Sequence, residues 1–263
     1  MLAAARAGLL IRLKDAYRRR SLMALALIGV AYAALFPNIF RIAGGPAASR
    51  PQINAFMSPF VIGFGPVCLM LALATTAILT ISEVDEEICC FTFAVSGARE
   101  GQALARYVAT LIAVIAVVTP AIGLEAAGLI VVTAARVQTV FSLMVAIWLD
   151  AVLIGALAAA VGWLLGGALG AFCAAGYAGA ITAFGSMLQS HASTWRPLTE
   201  VRAGANAVLP RMLSTSVASE YLTSVSGGHI LSLLPGLPDE VRVGGAIIIG
   251  AVVAMLAARW REF

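Results

Sequence analysis

The sequence predicts an all-α integral membrane protein with six transmembrane helices, and three observations carry that prediction. Of the 263 residues, 61% are hydrophobic and only 11% charged, against about 25% charged in ordinary soluble domains. Thirteen acids and seventeen bases cannot supply the polar skin that a soluble fold of this length needs, so lipid is expected to be the solvent for much of the surface. The apolar residues also gather into long runs, several near the ~20 residues that cross ~30 Å of hydrocarbon as a helix. Most of the bases flank those runs instead of forming a patch of their own.

The first element is an N-terminal interfacial amphipathic helix over residues 1–20. Leu2, Ala5, Leu9, Leu10, Leu13 and Tyr17 recur at helical spacing, while Arg12, Lys14, Asp15, Arg18 and Arg19 lie mostly on the other face. Such a helix lies in the membrane interface and does not cross it, although Arg6 and Ile11 break the pattern. A simple basic leader is the alternative. The transmembrane domain then occupies residues 21–263.

Its first span is expected at 21–40. Ala31-Tyr32-Ala33 resembles a signal cleavage site, but the apolar stretch is long for a signal peptide, so an uncleaved helix is expected. The second span is placed at 57–82, after a polar loop with Gly44, Gly45, Pro46, Arg50 and Pro51. A charged loop follows at 83–106, then a third span at 107–134 that Pro120 interrupts and that carries Glu125.

Residues 140–188 are apolar almost throughout, with Asp150 the only charge. As one helix they would be roughly 73 Å long at 1.5 Å per residue, more than twice the hydrocarbon thickness. They are therefore two spans, 140–161 and 166–188. The turn between them falls in residues 162–170, where Gly162, Gly166 and Gly170 recur every fourth position. That spacing suits close helix packing equally well.

Residues 189–242, broken by Pro197, Pro210, Pro235 and Pro238, read as an outer re-entrant or surface segment of short helices. The sixth span is placed at 243–258, with Arg259, Trp260 and Arg261 at an interface.

Six spans put both termini on one side. Ten bases lie on that side: Arg6, Arg12, Lys14, Arg18, Arg19, Arg20, Arg99, Arg106, Arg259 and Arg261. The two short loops opposite hold only Arg41, Arg50 and Arg136. The excess places N- and C-termini in the cytoplasm, and the expected location is a plasma membrane, of the bacterial cytoplasmic (inner) kind.

An interfacial N-terminal helix, a cytoplasmic loop between spans two and three and a broken outer segment before span six together resemble the ABC type-2 exporter permeases. The likeness covers nearly the whole chain as topology. Its most specific stretch runs from Glu86-Glu87 through Ile88–Val95 and Ser96-Gly97-Ala98-Arg99 into the third span. In the family an acid precedes a short helix, a turn, an arginine and then that span. The turn's usual proline is absent here, with Ser96-Gly97 in its region.

The resemblance implies that residues 88–98 form a coupling helix docked on a cytoplasmic ABC ATPase dimer. Glu86, Glu87, Ile88, Phe91, Val95 and Arg99 would be its ATPase-coupling residues. On a helix, Ile88, Phe91 and Val95 share a face that could fill a partner groove, with Glu86, Glu87 and Arg99 as a charged rim. A solvated inter-helix loop is the plain alternative. The resemblance further implies an export subunit working with a second copy of this permease or a related one.

Lys14 is the single lysine, and no G-x-x-x-x-G-K-[ST] motif is present, so a P-loop on this chain is excluded. An exporter built on it takes its ATP and magnesium on the partner ATPase, with no cofactor here. No basic run interleaved with aromatics points to nucleic acid. No metal site is expected: His191 and His229 have no matching spacing, and Cys68, Cys89, Cys90 and Cys173 form no C-x-x-C.

Glu125 and Asp150 are the two acids inside apolar spans. An Asp at mid-helix costs ~2.5–3.5 kcal/mol on insertion scales, so such acids should face a cavity, a partner or a translocation pathway. A packing hydrogen bond to a neighbouring helix is the other reading of each, and the preferred one for Glu125. A secondary transporter driven through Asp150 and Glu125 is the alternative function, although no pair of broken helices in corresponding halves supports it. An intramembrane enzyme is disfavoured, since H-E-x-x-H is absent and neither histidine lies in a span. The few charges along the expected path mildly favour a hydrophobic or amphipathic cargo.

Overall fold

An apolar run away from water must satisfy its own peptide groups, and a helix does so within one segment. The structure, a computed structural model, describes residues 9–10, 13–14, 16–44, 64–79, 99–133, 137–165, 169–177 and 239–260, and each of them except Arg19 is helical. The elements are α1 (Arg20–Gly44), α2 (Phe64–Leu79), α3 (Arg99–Thr133), α4 (Val137–Leu165), α5 (169–177) and α6 (Asp239–Trp260). Among the described residues, two helical stretches are long and apolar enough to cross a membrane, Glu100–Gly128 in α3 and Met144–Leu165 in α4. Shorter apolar stretches lie in α1, α2 and α6.

Side-chain contacts fix the direction of each helix. Gly29 of α1 meets Leu71 of α2 and Ala121 of α3, and one turn further along α1 Tyr32 interacts electrostatically with Glu125. So α1 and α3 run the same way. Cys68, which precedes Leu71, also reaches Glu125, so α2 runs against them. The start of α3, the end of α4 and the end of α6 share one core, formed by Ala103, Tyr107, Ala160, Trp163, Ala257 and Ala258. Near the start of α4, Ala146 packs with Val243 at the start of α6. Hence α4 and α6 are parallel to each other and antiparallel to α3.

α3 is the hub, packed against α1, α4 and α6. It begins at Arg99, inside the stretch expected as loop, and runs for 35 residues without a break. Pro120 therefore does not interrupt it. The residue is exposed, so its ring meets no packed neighbour helix, and a single missing backbone bond is tolerated in an apolar helix.

Between α4 and α5 the two readings of the glycine repeat coincide. α4 stops at Leu165 and α5 is under way at Leu169. A Cβ at Gly170 would collide with the backbone of Gly162 and with the Ala158 carbonyl. α5 packs back on the last turns of α4, and Gly162 and Gly170 let the two helix backbones touch.

Ahead of α1 the described residues among 9–18 are helical, with Leu10 61% and Tyr17 78% exposed. Arg19 is non-helical, although its N–H still donates to the Ala16 carbonyl. The leader is thus set off from α1 with apolar side chains left uncovered by the rest of the described chain. Residues 83–98 and 189–238 lie outside the described residues, and with them Glu86, Glu87, Ile88, Phe91, Val95, both histidines and the coupling-helix expectation.

Candidate functional site

Glu125 sits one turn beyond Ala121 on the face of α3 that meets α1 and α2. It is fully buried. Both carboxyl oxygens are enclosed and neither has a hydrogen-bond partner. Around it are Tyr32 from α1 and Cys68 from α2, each in electrostatic contact with it. Tyr32 stacks on Phe64, with ring centroids 6.4 Å apart and planes 18° from parallel. The surrounding core is otherwise aliphatic, including Ala33, Leu71, Ala121 and Ile122.

Asp150 is buried too and also has an interaction partner, but it lies on another stripe: it follows Ala146 by one turn and precedes Leu153, both packed on Val243 of α6. The structure therefore does not bring the two acids into a shared carboxyl pair, the arrangement that hydrolytic chemistry would need. Among the described residues no cluster of three or more His, Cys, Asp or Glu could hold a metal ion.

A second polar constellation lies at the root of α3. Arg106 is only 3% exposed, and its guanidinium carbon stands 5.8 Å from the Trp163 ring centroid on α4, within cation–π reach. The Arg106 carbonyl accepts from the Thr110 hydroxyl at 3.0 Å. One residue on, the Tyr107 hydroxyl donates to the Ile247 carbonyl of α6 at 3.0 Å. Gly250, one turn later on α6, makes room for the phenol: a Cβ there would come within 2.5 Å of the Tyr107 oxygen. The first two turns of α3 are thereby tied to both α4 and α6.

Glu125 and Asp150, which sequence reasoning singled out as acids inside apolar spans, are both buried. That reasoning took Arg106 only as an orienting base and Tyr107 only as the start of a span, and it read Cys68 as small filler. The sequence signal available for Arg106 was its position, seven residues inside an otherwise apolar-periodic helix. Nothing comparable marks Tyr32, Phe64 and Cys68, which reach Glu125 from separate runs. No family model matches this chain, and no curated protein matches it.

Proposed function

We propose that the chain is the membrane subunit of an ATP-binding cassette exporter. In this reading it crosses a plasma membrane, the bacterial cytoplasmic membrane, six times, with both termini inside. It moves a hydrophobic or amphipathic substrate outward when a separate ATPase dimer binds and hydrolyses ATP, and it pairs with a second copy or a related permease. It has no nucleotide site and does no chemistry of its own.

The observation that carries the proposal is the continuity of α3 with the candidate coupling segment. Arg99, the last residue of that segment, is the first residue of a helix that packs on α1, α4 and α6. A push on residues 86–99 would enter the bundle along α3 and pass to α4 through Arg106 and Trp163, and to α6 through Tyr107 and Ile247. Helix polarity supports the same reading. With α1 and α3 running one way and α2, α4 and α6 the other, Arg20, Arg99, Arg106 and Arg259 gather at one end of the bundle, as cytoplasmic bases should.

The test is co-expression with an ATP-binding cassette ATPase from the same genome, followed by co-purification of the pair, and then the same with Phe91→Asp. The complex should form with the natural chain and be lost with the variant, because a charge would replace the aromatic anchor of the contact face. If no ATPase binds the natural chain in detergents or lipid discs, the exporter reading fails. Burial of Asp150 and Glu125 favours secondary transport as the second reading. Its signature is gradient-driven uptake that persists without any ATPase and falls in Asp150→Asn.

A further inference from the structure

We propose that Glu125 is a proton-binding site: a carboxyl that α1, α2 and α3 enclose in its neutral acid form, beside Tyr32 and Cys68. The proposal is independent of the exporter reading, because it concerns the ligand of one carboxyl and is read out without transport.

An ionised carboxylate in an apolar interior needs a cation or several donated hydrogen bonds. Neither Glu125 oxygen receives any. Among the described residues, the Tyr32 phenol from α1 and the Cys68 thiol from α2 interact electrostatically with it, and neither carries positive charge. α4 contributes Val140, Met144 and Ile147 to the same core, and none of them titrates. Among the described residues the buried arginine is Arg106, which belongs to the other core, with Trp163.

A metal ion fits no better. Calcium takes 6–8 oxygen ligands and magnesium demands six in near-ideal octahedral geometry. One carboxyl and one phenol fall far short, and no metal-binding cluster exists among the described residues. Both oxygens are buried from solvent. A proton needs no added volume and removes the charge outright. Its loss would leave a bare charge between three packed helices, so proton occupancy and the packing of α1 and α2 on α3 are coupled.

A hydrophobic carbodiimide reads this state. The acid's O–H proton passes to one carbodiimide nitrogen as the carboxyl oxygen bonds to the central carbon. The O-acylisourea then rearranges by O-to-N acyl transfer to a stable N-acylurea, with no atom lost. An ionised carboxylate lacks the proton that the first step consumes.

The experiment treats the purified full chain in lipid discs with dicyclohexylcarbodiimide at neutral pH, then locates the adduct by peptide mass spectrometry. Glu125 should carry one added carbodiimide. In parallel, infrared spectra of the natural chain and Glu125→Gln are compared at neutral pH. The protonated-carboxyl C=O band should be lost in the variant, with thermal stability preserved, because a neutral amide replaces a neutral acid. An unmodified Glu125, or a band that survives in a folded Glu125→Gln protein, overturns the proposal. If the variant does not fold, the labelling of the natural chain decides alone.

Discussion

The contact between α4 and α5 offers the sharpest test of the packing. A Cβ on Gly170 would lie 2.5 Å from both the Ala158 carbonyl oxygen and the Gly162 Cα. The obstructing atoms are backbone, so no rotamer change relieves the clash. Restoring an ordinary 3.4 Å contact requires α5 to retreat by about 1 Å, and overpacking of this kind costs about 1–3 kcal/mol. At roughly 2–4 °C per kcal/mol for a chain of this size, Gly170→Ala should lower the melting temperature by several degrees.

An internal control separates that clash from the intrinsic preference of helices for alanine, worth up to about 1 kcal/mol. Gly176 lies on the same short helix with nothing within 4 Å of its notional Cβ, so Gly176→Ala should melt at or above the natural temperature. Both are measured on purified protein in one detergent, by intrinsic fluorescence during a thermal ramp. If the two variants melt together, the close approach of α5 to α4 at Gly170 is wrong, and the glycine repeat marks only a turn.

The remaining predictions concern the root of α3. Tyr107→Phe removes the bond to the Ile247 carbonyl and should cost about 0.5–1.5 kcal/mol, read as a shift in the same thermal ramp. Gly250→Ala should cost more, because its Cβ drives the phenol from its place. Combined with Tyr107→Phe the loss should be less than the sum, and additive losses would refute the contact. Arg106→Gln should leave ATPase co-purification intact while lowering substrate-stimulated ATP turnover in the reconstituted complex. Unchanged turnover would remove Arg106 and Trp163 from the transmission path.

Much of the bundle was legible in advance because apolar runs signal helices through composition and length alone. Helical structure in 21–40, 107–134 and 140–161 follows from long, predominantly apolar runs, and α1, α3 and α4 cover those stretches save the final residue of the second. The start of α3 was not legible. Glu100, Gln102 and Arg106 look like loop residues by polarity, yet Ala103, Tyr107 and Leu111 recur at helical spacing and pack into one core, which carries the helix back to Arg99. Pro120 misled for a related reason: its cost as a helix breaker is small where one side of the helix has no packed neighbour.

The candidate site divides along the same line. That Glu125 and Asp150 stand in apolar stretches is a fact of sequence, and burial expense makes any such acid notable. Their difference is not. Asp150 has an interaction partner, and Glu125 meets Tyr32 and Cys68 electrostatically without a hydrogen bond to either oxygen, a matter of which side chains arrive from other helices. Sequence by itself determined the composition, the helical character, the absence of a P-loop and the charge asymmetry, because each depends on residue type and short-range spacing. Only tertiary structure decided that Tyr32 and Cys68 enclose Glu125, that Arg106 lies on Trp163, and that Gly170 meets Gly162. Those contacts join residues far apart in the chain, and helix polarity and rotation set them through the packing of whole faces.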